Sequence, residues 1–272
     1  MLITGHSRGL GASVLQQARI RGFSVLGLSR GKTNLPSPSE LLSKDTSHAS
    51  STGTGGSEEP WVCEYPLDLS DLNAVLAFLS GPTLAHFFAG AERVLLVNNA
   101  GLISPIGPVG RLSTEAVYSS VAANVSAAIA LTDAFLKAVP ASAADRRVIH
   151  VSSGAARSAY AGWNVYCATK AALDHHARCV QLEAQEQGPA QGLRICSLAP
   201  GIMDTEMQGE IRATPSQDFP MRSKFDDLKA QGPYFPHKTL RSACLLIWSR
   251  RLSAQIRQPI CAPFPFRRRF LE

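Results

Sequence analysis

Six short apolar runs punctuate this chain and alternate with longer helical patterns, a rhythm that predicts βαβ units and a parallel sheet. The strand candidates are residues 1–4, 25–29, 61–66, 94–98, 148–152 and 194–198. Their near-continuous Val, Ile and Leu content suits strands covered on both faces. Helices are expected over Leu10–Arg21, Leu72–Phe78, Thr114–Ala138 and Tyr166–Gln187. The expected fold class is α/β, a doubly wound parallel sheet flanked by helices. Sheets of this kind bind ligands beyond the carboxyl ends of their strands.

The 272 residues suffice for one such domain with a substantial core, and residues 1–272 are read as a single domain. Two segments fit the plan poorly. Between Gly31 and Pro60, 18 of 30 residues are Gly, Ser, Thr or Pro, so this stretch reads as a flexible insertion at 31–60. The tail from about 250 to 272 carries Pro259, Pro263 and Pro265 where a last strand is expected, and proline cannot donate to a ladder. With 45% hydrophobic and 18% charged residues, the balance is that of a soluble globular protein. No run reaches the roughly 18 uninterrupted apolar residues of a membrane span. The chain starts inside a strand-like run without a charged leader, so no signal peptide and a cytoplasmic location are expected. None of the six cysteines stands in C-x-x-C and no histidine cluster has metal-ligand spacing, which predicts buried free thiols and no metal. A net charge of +6 is spread along the chain, clustering only at Arg267-Arg268-Arg269, so no nucleic-acid partner is expected.

The ends of the apolar runs carry the chemistry. Thr4-Gly5-His6-Ser7-Arg8-Gly9-Leu10-Gly11 follows Leu2-Ile3 directly and opens a helix. Glycines there permit a tight turn and the close approach of a pyrophosphate to a helix N-terminus. Asn98-Asn99-Ala100-Gly101 closes the fourth run, Ser152-Ser153 the fifth and Pro200-Gly201 the sixth. Tyr166 and Lys170 are spaced i, i+4 and so share a helix face, where the ammonium is expected to lower the phenol's pKa from about 10. The end of the second run reads Ser29-Arg30 with no carboxylate, and Arg8 lies in the glycine loop. Two guanidiniums suit a 2′-phosphate, which favours NADP(H) over NAD(H).

Together, and in this order, these motifs resemble the short-chain dehydrogenase/reductase family, with its Rossmann-type fold, from Met1 to about Gln208. The resemblance implies a catalytic set of Asn124, Ser153, Tyr166 and Lys170. Tyr166 would protonate the substrate oxygen, Ser153 polarise the carbonyl and Lys170 hold the nicotinamide ribose. Asn124 would hold a water linking Lys170 to solvent. Spacing to the tyrosine favours Ser153 over Ser152. The implied cofactor set is Gly5, Ser7, Arg8, Gly9, Leu10, Gly11, Arg30, Asp68, Leu69, Asn99, Ala100, Gly101, Tyr166, Lys170, Pro200, Gly201, Ile202, Asp204 and Thr205. Asp68 is also a candidate N-cap before Leu72, with Ser70 as its rival. A homo-oligomer and a small-molecule carbonyl substrate are implied as well.

Within the family, Gly162-Trp163-Asn164-Val165-Tyr166-Cys167 and the segment Ala199 to Gln208 resemble sepiapterin reductases and bacterial benzil reductases. Ser153, Trp163, Tyr166 and Gly201 are the substrate candidates. Trp163 is either an aromatic wall for a flat substrate or a core residue. No aspartate follows Asp227 to anchor a pterin. The expected activity is therefore NADPH-dependent reduction of a ketone or 1,2-dicarbonyl. Reduction of a pterin side chain, or a non-catalytic NADP-binding regulator, are the alternatives.

Overall fold

The computed structural model describes residues 1–31, 61–186, 192–203 and 205–230. The expected insertion beyond Gly31, Asp204 and the expected tail lie outside the described residues. Within them, β1 (Leu2–Thr4), β2 (Val25–Ser29), β3 (Val62–Pro66), β4 (Arg93–Asn98), β5 (Asp145–Val151) and β6 (Leu193–Leu198) form one sheet in the order β3-β2-β1-β4-β5-β6. All five pairings are parallel. The helices are α1 (Gly9–Ile20), α2 (Leu72–Ser80), α3 (Thr83–Phe88), α4 (Thr114–Val121), α5 (Ala127–Ala138), α6 (Asn164–Glu186), α7 (Glu206–Ala213) and α8 (Arg222–Ala230).

Side-chain alternation divides the core between the two faces of the sheet. Leu95, Val97, Ile149 and Val151 pack with Leu10, Val14 and Leu15 of α1. Leu96 and Val148 face the other way, onto Phe78, Phe88 and Phe135 of α2, α3 and α5. Phe88 and Phe135 meet edge to face with centroids 5.1 Å apart, the arrangement that ring quadrupoles prefer.

Several elements differ from the sequence-based expectations. The stretch Thr114–Ala138 is long and apolar enough to cross a membrane by length and composition. Here it is a pair of helices joined by a π-helical turn, Ala122–Ser126, with Leu131 and Phe135 buried in the core. Asn124 sits within that turn. Its side chain bridges the backbone of Leu102 through bonds of 2.7 and 2.9 Å and reaches Thr169 at 3.2 Å. Asp71, not Asp68 or Ser70, caps α2, accepting from the Ala74 amide at 3.0 Å. Asp68 instead accepts from Ser70's own amide and hydroxyl, which closes a local turn and takes it away from the helix. Helices α3, α7 and α8, of six, eight and nine residues, lie outside the helices expected from the sequence. The described cysteines are free but not buried: Cys179 is exposed, and Cys63, Cys167 and Cys196 are half-buried. Even so, burial pushes the Cys196 thiol up to about 11.

The ends of β1 and β4 are bolted together. Thr4 Oγ1 accepts from the amides of Asn99 and Ala100 at 3.0 and 2.9 Å. In return, the Asn99 side chain donates to the carbonyls of Thr4 and Gly5 at 3.0 and 2.9 Å. Gly5 turns the chain at φ 65°, and a Cβ on Gly11 would collide with the Gly5 carbonyl and lie 2.6 Å from Asn99 Nδ2. Gly11→Ala is therefore expected to lower stability by about 1–3 kcal/mol through overpacking. Urea denaturation checks this, and an unchanged midpoint would show that the loop can give way.

Candidate active site

A cleft of about 1250 Å³ opens at the carboxyl edge of the sheet. It exceeds the roughly 300–1,000 Å³ of a pocket for one drug-sized ligand. Of the residues expected at the site, all line it except Gly11, Asn124 and Asp204. Gly11 lies behind the glycine loop, and Asp204 is outside the described residues. Asn124 braces the segment after β4 from behind, since a Cβ on Gly101 would lie 3.2 Å from Lys170 Nζ and 3.6 Å from Asn124 Oδ1. Its amide is thus occupied by protein partners and does not face the cleft.

One half of the cleft suits a dinucleotide. Among the described residues no side chain caps the N-terminus of α1, so its first-turn amides remain available to an anion. The glycines around it supply the close backbone approach. Arg8 and Arg30 both reach this half, yet the structure gives each a carboxylate that the local sequence did not announce. Arg8 pairs with Glu206, and Arg30 Nη1 lies 4.0 Å from Asp68 Oδ2. Burial tends to raise the Asp68 carboxyl, but bonds from Ser70 and the nearby Arg30 hold it below its ordinary value. His6, unremarked in the sequence reading, is fully buried beneath the loop and bonds Glu64 at 3.0 Å. A Cβ on Gly27 would lie 2.6 Å from its ring, so the glycine in β2 exists to admit it. A charged Glu64 inside an otherwise apolar strand was the available clue.

In the other half, α6 and the end of β5 bring Ser153, Tyr166 and Lys170 together. Ser153 lies near enough to Tyr166 to draw the phenol down, and its Oγ accepts from the Ala155 amide at 3.2 Å. Ser152 is buried and its hydroxyl has no partner among the described residues, which separates the two serines. Lys170 Nζ sits 5.7 Å from the Tyr166 ring centroid and donates to the Val151 carbonyl at 2.8 Å. Burial lowers the Lys170 ammonium to about 8, with Asp174 opposing. Burial likewise pushes the Tyr166 phenol above its ordinary value, and only Ser153 pulls it down. The expected lowering of Tyr166 by Lys170 is therefore reversed here, because desolvation of a buried phenolate outweighs a charge at this distance.

Trp163 proves to be mainly a core residue. Phe219 stacks on it at 4.5 Å and 10°, and Tyr166 and Phe225 crowd it at 5.7 and 5.4 Å. It still lines the cleft, beside Ile103, Phe225 and Leu228. The apolar wall is thus shared with α8, which sequence periodicity did not reveal.

Residues 56–216 match the short chain dehydrogenase family. The chain is 30% identical over 246 residues to a benzil reductase ((S)-benzoin forming) of Bacillus cereus, covering 89% of this chain and 92% of that one. It is 35% identical over 239 residues to the sepiapterin reductase of Meriones unguiculatus, covering 85% and 84%. A solved short-chain dehydrogenase/reductase from Burkholderia vietnamiensis is 42% identical with a TM-score of 0.61, covering 79% of this chain and 91% of that one.

The contrast between the two serines is testable. Ser152→Ala removes an unpartnered buried hydroxyl and is expected to leave Tm unchanged or raised. Ser153→Ala is expected to change the ultraviolet titration of Tyr166, moving it further upward. A spectrophotometric titration that is identical in both variants would deny that Ser153 acts on the Tyr166 phenol.

Proposed function

Because the chain belongs to the short-chain dehydrogenase/reductase family, we propose that this oxidoreductase is an NADPH-dependent carbonyl reductase acting on ketones or 1,2-dicarbonyls. The observation that carries this reading is that Ser153, Tyr166 and the buried Lys170 gather at one end of a cleft whose other end suits a dinucleotide. Bound NADPH supplies a hydride to the carbonyl carbon. Tyr166 gives its hydroxyl proton to the carbonyl oxygen as charge develops there, and Ser153 stabilises that oxygen by hydrogen bonding. A phenol held above its ordinary value stays protonated through the neutral range, as a proton donor must. Lys170 keeps positive charge beneath the ring and favours the tyrosinate left behind.

The substrate end supports an uncharged, flat carbonyl compound. Among the described residues, no buried acid lines the cleft: Asp68 is half-buried, and Glu206 and Glu210 are exposed. A pterin recognised through a buried acidic anchor has no such partner there. Ile103, Phe225 and Leu228 with Trp163 present apolar surface, which tolerates varied aryl and alkyl groups. Benzil reductases and sepiapterin reductases both stand among the relatives, so the choice between them rests on the lining of the cleft.

NADPH oxidation by the purified protein, measured against diketones, aldehydes and pterins, tests the proposal. Tyr166→Phe is expected to lower kcat by about 10²–10⁴-fold while leaving NADPH affinity nearly intact. More than a tenth of wild-type activity in that variant, or a kcat/KM for sepiapterin above that for every diketone, would overturn the assignment.

Cofactor choice has its own test. The ion pairs of Arg8 and Arg30 are exposed, and such pairs contribute only about 0–1 kcal/mol. A phosphate dianion, with charge-assisted bonds of about 1.5–3 kcal/mol, displaces those carboxylates. The double variant Arg8→Ala and Arg30→Ala is expected to raise the KM for NADPH about tenfold or more, with little change for NADH. Wild-type preference for NADH would reverse this reading.

A further inference from the structure

Behind the catalytic residues lies a hydrogen-bonded pair of imidazoles that the proposed chemistry does not use. His150 is fully buried near the end of β5, one residue before Val151 and three before Ser153. The sheet register sets it opposite Asn98 on β4 and Ser197 on β6. Its Nδ1 meets Asn98 Nδ2 at 3.2 Å, and its Nε2 meets His176 Nδ1, on α6, at 2.9 Å. A single ring therefore joins β4, β5 and the helix that carries Tyr166 and Lys170.

The donors and acceptors fix the protonation pattern. Asn98 Nδ2 shares its two hydrogens among the Ala128 carbonyl at 3.2 Å, Thr132 Oγ1 at 3.1 Å and His150 Nδ1 at 3.2 Å, and an amide nitrogen accepts nothing. His150 Nδ1 must therefore be bare and accept, which leaves its hydrogen on Nε2, directed at His176. His176 Nδ1 then accepts, and its own hydrogen lies on Nε2. The chain exists only while both rings are neutral, because protonating His176 sets two N–H groups face to face.

The surroundings agree with that state. Burial, followed by His176 and Lys170, lowers His150 to about 3, and burial lowers His176 against the opposing pull of Glu183. The charged or titratable groups of α6 here are Lys170, Asp174, His176 and Glu183. Asp174 is taken up by Arg157 and Ser197. The other elements present the neutral Asn98 from β4, Thr132 from α5 and Ser197 from β6.

We propose that the His150–His176 pair is a positioning device. As a neutral chain it seats α6 on β5 at the depth where Lys170 reaches the Val151 carbonyl and Tyr166 meets Ser153. Its kinetic consequence rests on the carbonyl-reductase reading, whereas its structural consequence does not. Since unfolded imidazoles take up protons near 6.5 and these rings resist doing so, stability is complete above that pH and falls as pH drops below it. Catalysis should show an acid limb of its own, lying below pH 6.5 where the folded His176 takes up a proton.

His176→Gln preserves an acceptor for His150 without a titrating ring, and His176→Leu removes the acceptor. In the full-length protein, kcat and KM are measured from pH 5 to 9, with circular dichroism to confirm folding. Imidazole and ammonium ¹⁵N spectra are recorded with and without NADPH. His176→Gln is expected to keep neutral-pH kcat close to wild type and to lose the acid limb. His176→Leu is expected to lower kcat about tenfold or more, as sub-ångström to 1 Å misplacement does. NADPH affinity, held mainly by phosphate contacts, should change little. The Lys170 ammonium signal should shift in the Leu variant and not in the Gln variant, and His150 should show the Nε2–H form throughout. A protonated His150 above pH 5, an unshifted Lys170 signal in the Leu variant or an unchanged acid limb in the Gln variant would overturn the proposal. If no carbonyl compound is turned over, the proposed function falls, while the tautomer and the Lys170 signal still decide the role of the pair.

Discussion

The hydrogen bonds that join Thr4 and Gly5 to Asn99 and Ala100 hold the whole site in place. They lie between β1 and β4, where the strand order β3-β2-β1-β4-β5-β6 reverses direction. The chain leaving β1 covers one face of the sheet there, and the chain leaving β4 turns to the other, so a crevice must open between them. Unpaired strand ends at such a point would leave buried backbone groups unsatisfied. The threonine hydroxyl and asparagine amide satisfy them and simultaneously set the glycine turn against the crevice wall. With Gly11 reduced to its backbone, α1 can begin close enough to present its amides to the cleft.

Burial governs the chemistry of the reactive group more than charge does. Lys170 and Tyr166 share one face of α6 and lie within about one helical turn of each other, yet both titrate towards their neutral forms. Removing an ionised group from water costs more than a neighbouring charge returns at 5.7 Å. The result suits the reduction proposed above: a neutral phenol to donate and an ammonium that remains mostly charged below pH 8. The exposed arginines at the other end behave oppositely. Their pairs with Glu206 and Asp68 are exposed and therefore weak in water.

The apolar end of the cleft is an assembly of distant pieces. Trp163 precedes α6, Phe219 and Phe225 come from the segment around α8, and Ile103 follows β4. The parallel stack of Trp163 on Phe219 covers an aromatic face that would otherwise be open to substrate. Shape at this end is therefore set by Phe225 and Leu228 as much as by the tryptophan.

What the amino-acid sequence determined by itself was whatever depends on short-range periodicity and on single residues with special backbones. Alternating apolar runs gave all six strands to within a few residues, and the glycine turn, the Tyr166–Lys170 spacing and the serine after β5 located the cleft. The π turn at Asn124 was hidden, because an asparagine in an apolar helix does not say that its amide will reach Leu102. Tertiary structure alone decided which charges meet. Glu206 is 198 residues from Arg8, and His176 is 26 from His150. It also decided the direction in which Tyr166 titrates, since desolvation depends on everything packed around the phenol and not on its nearest neighbour in the chain. Backbone geometry repeats locally and can be read residue by residue, whereas electrostatics and packing are sums over space.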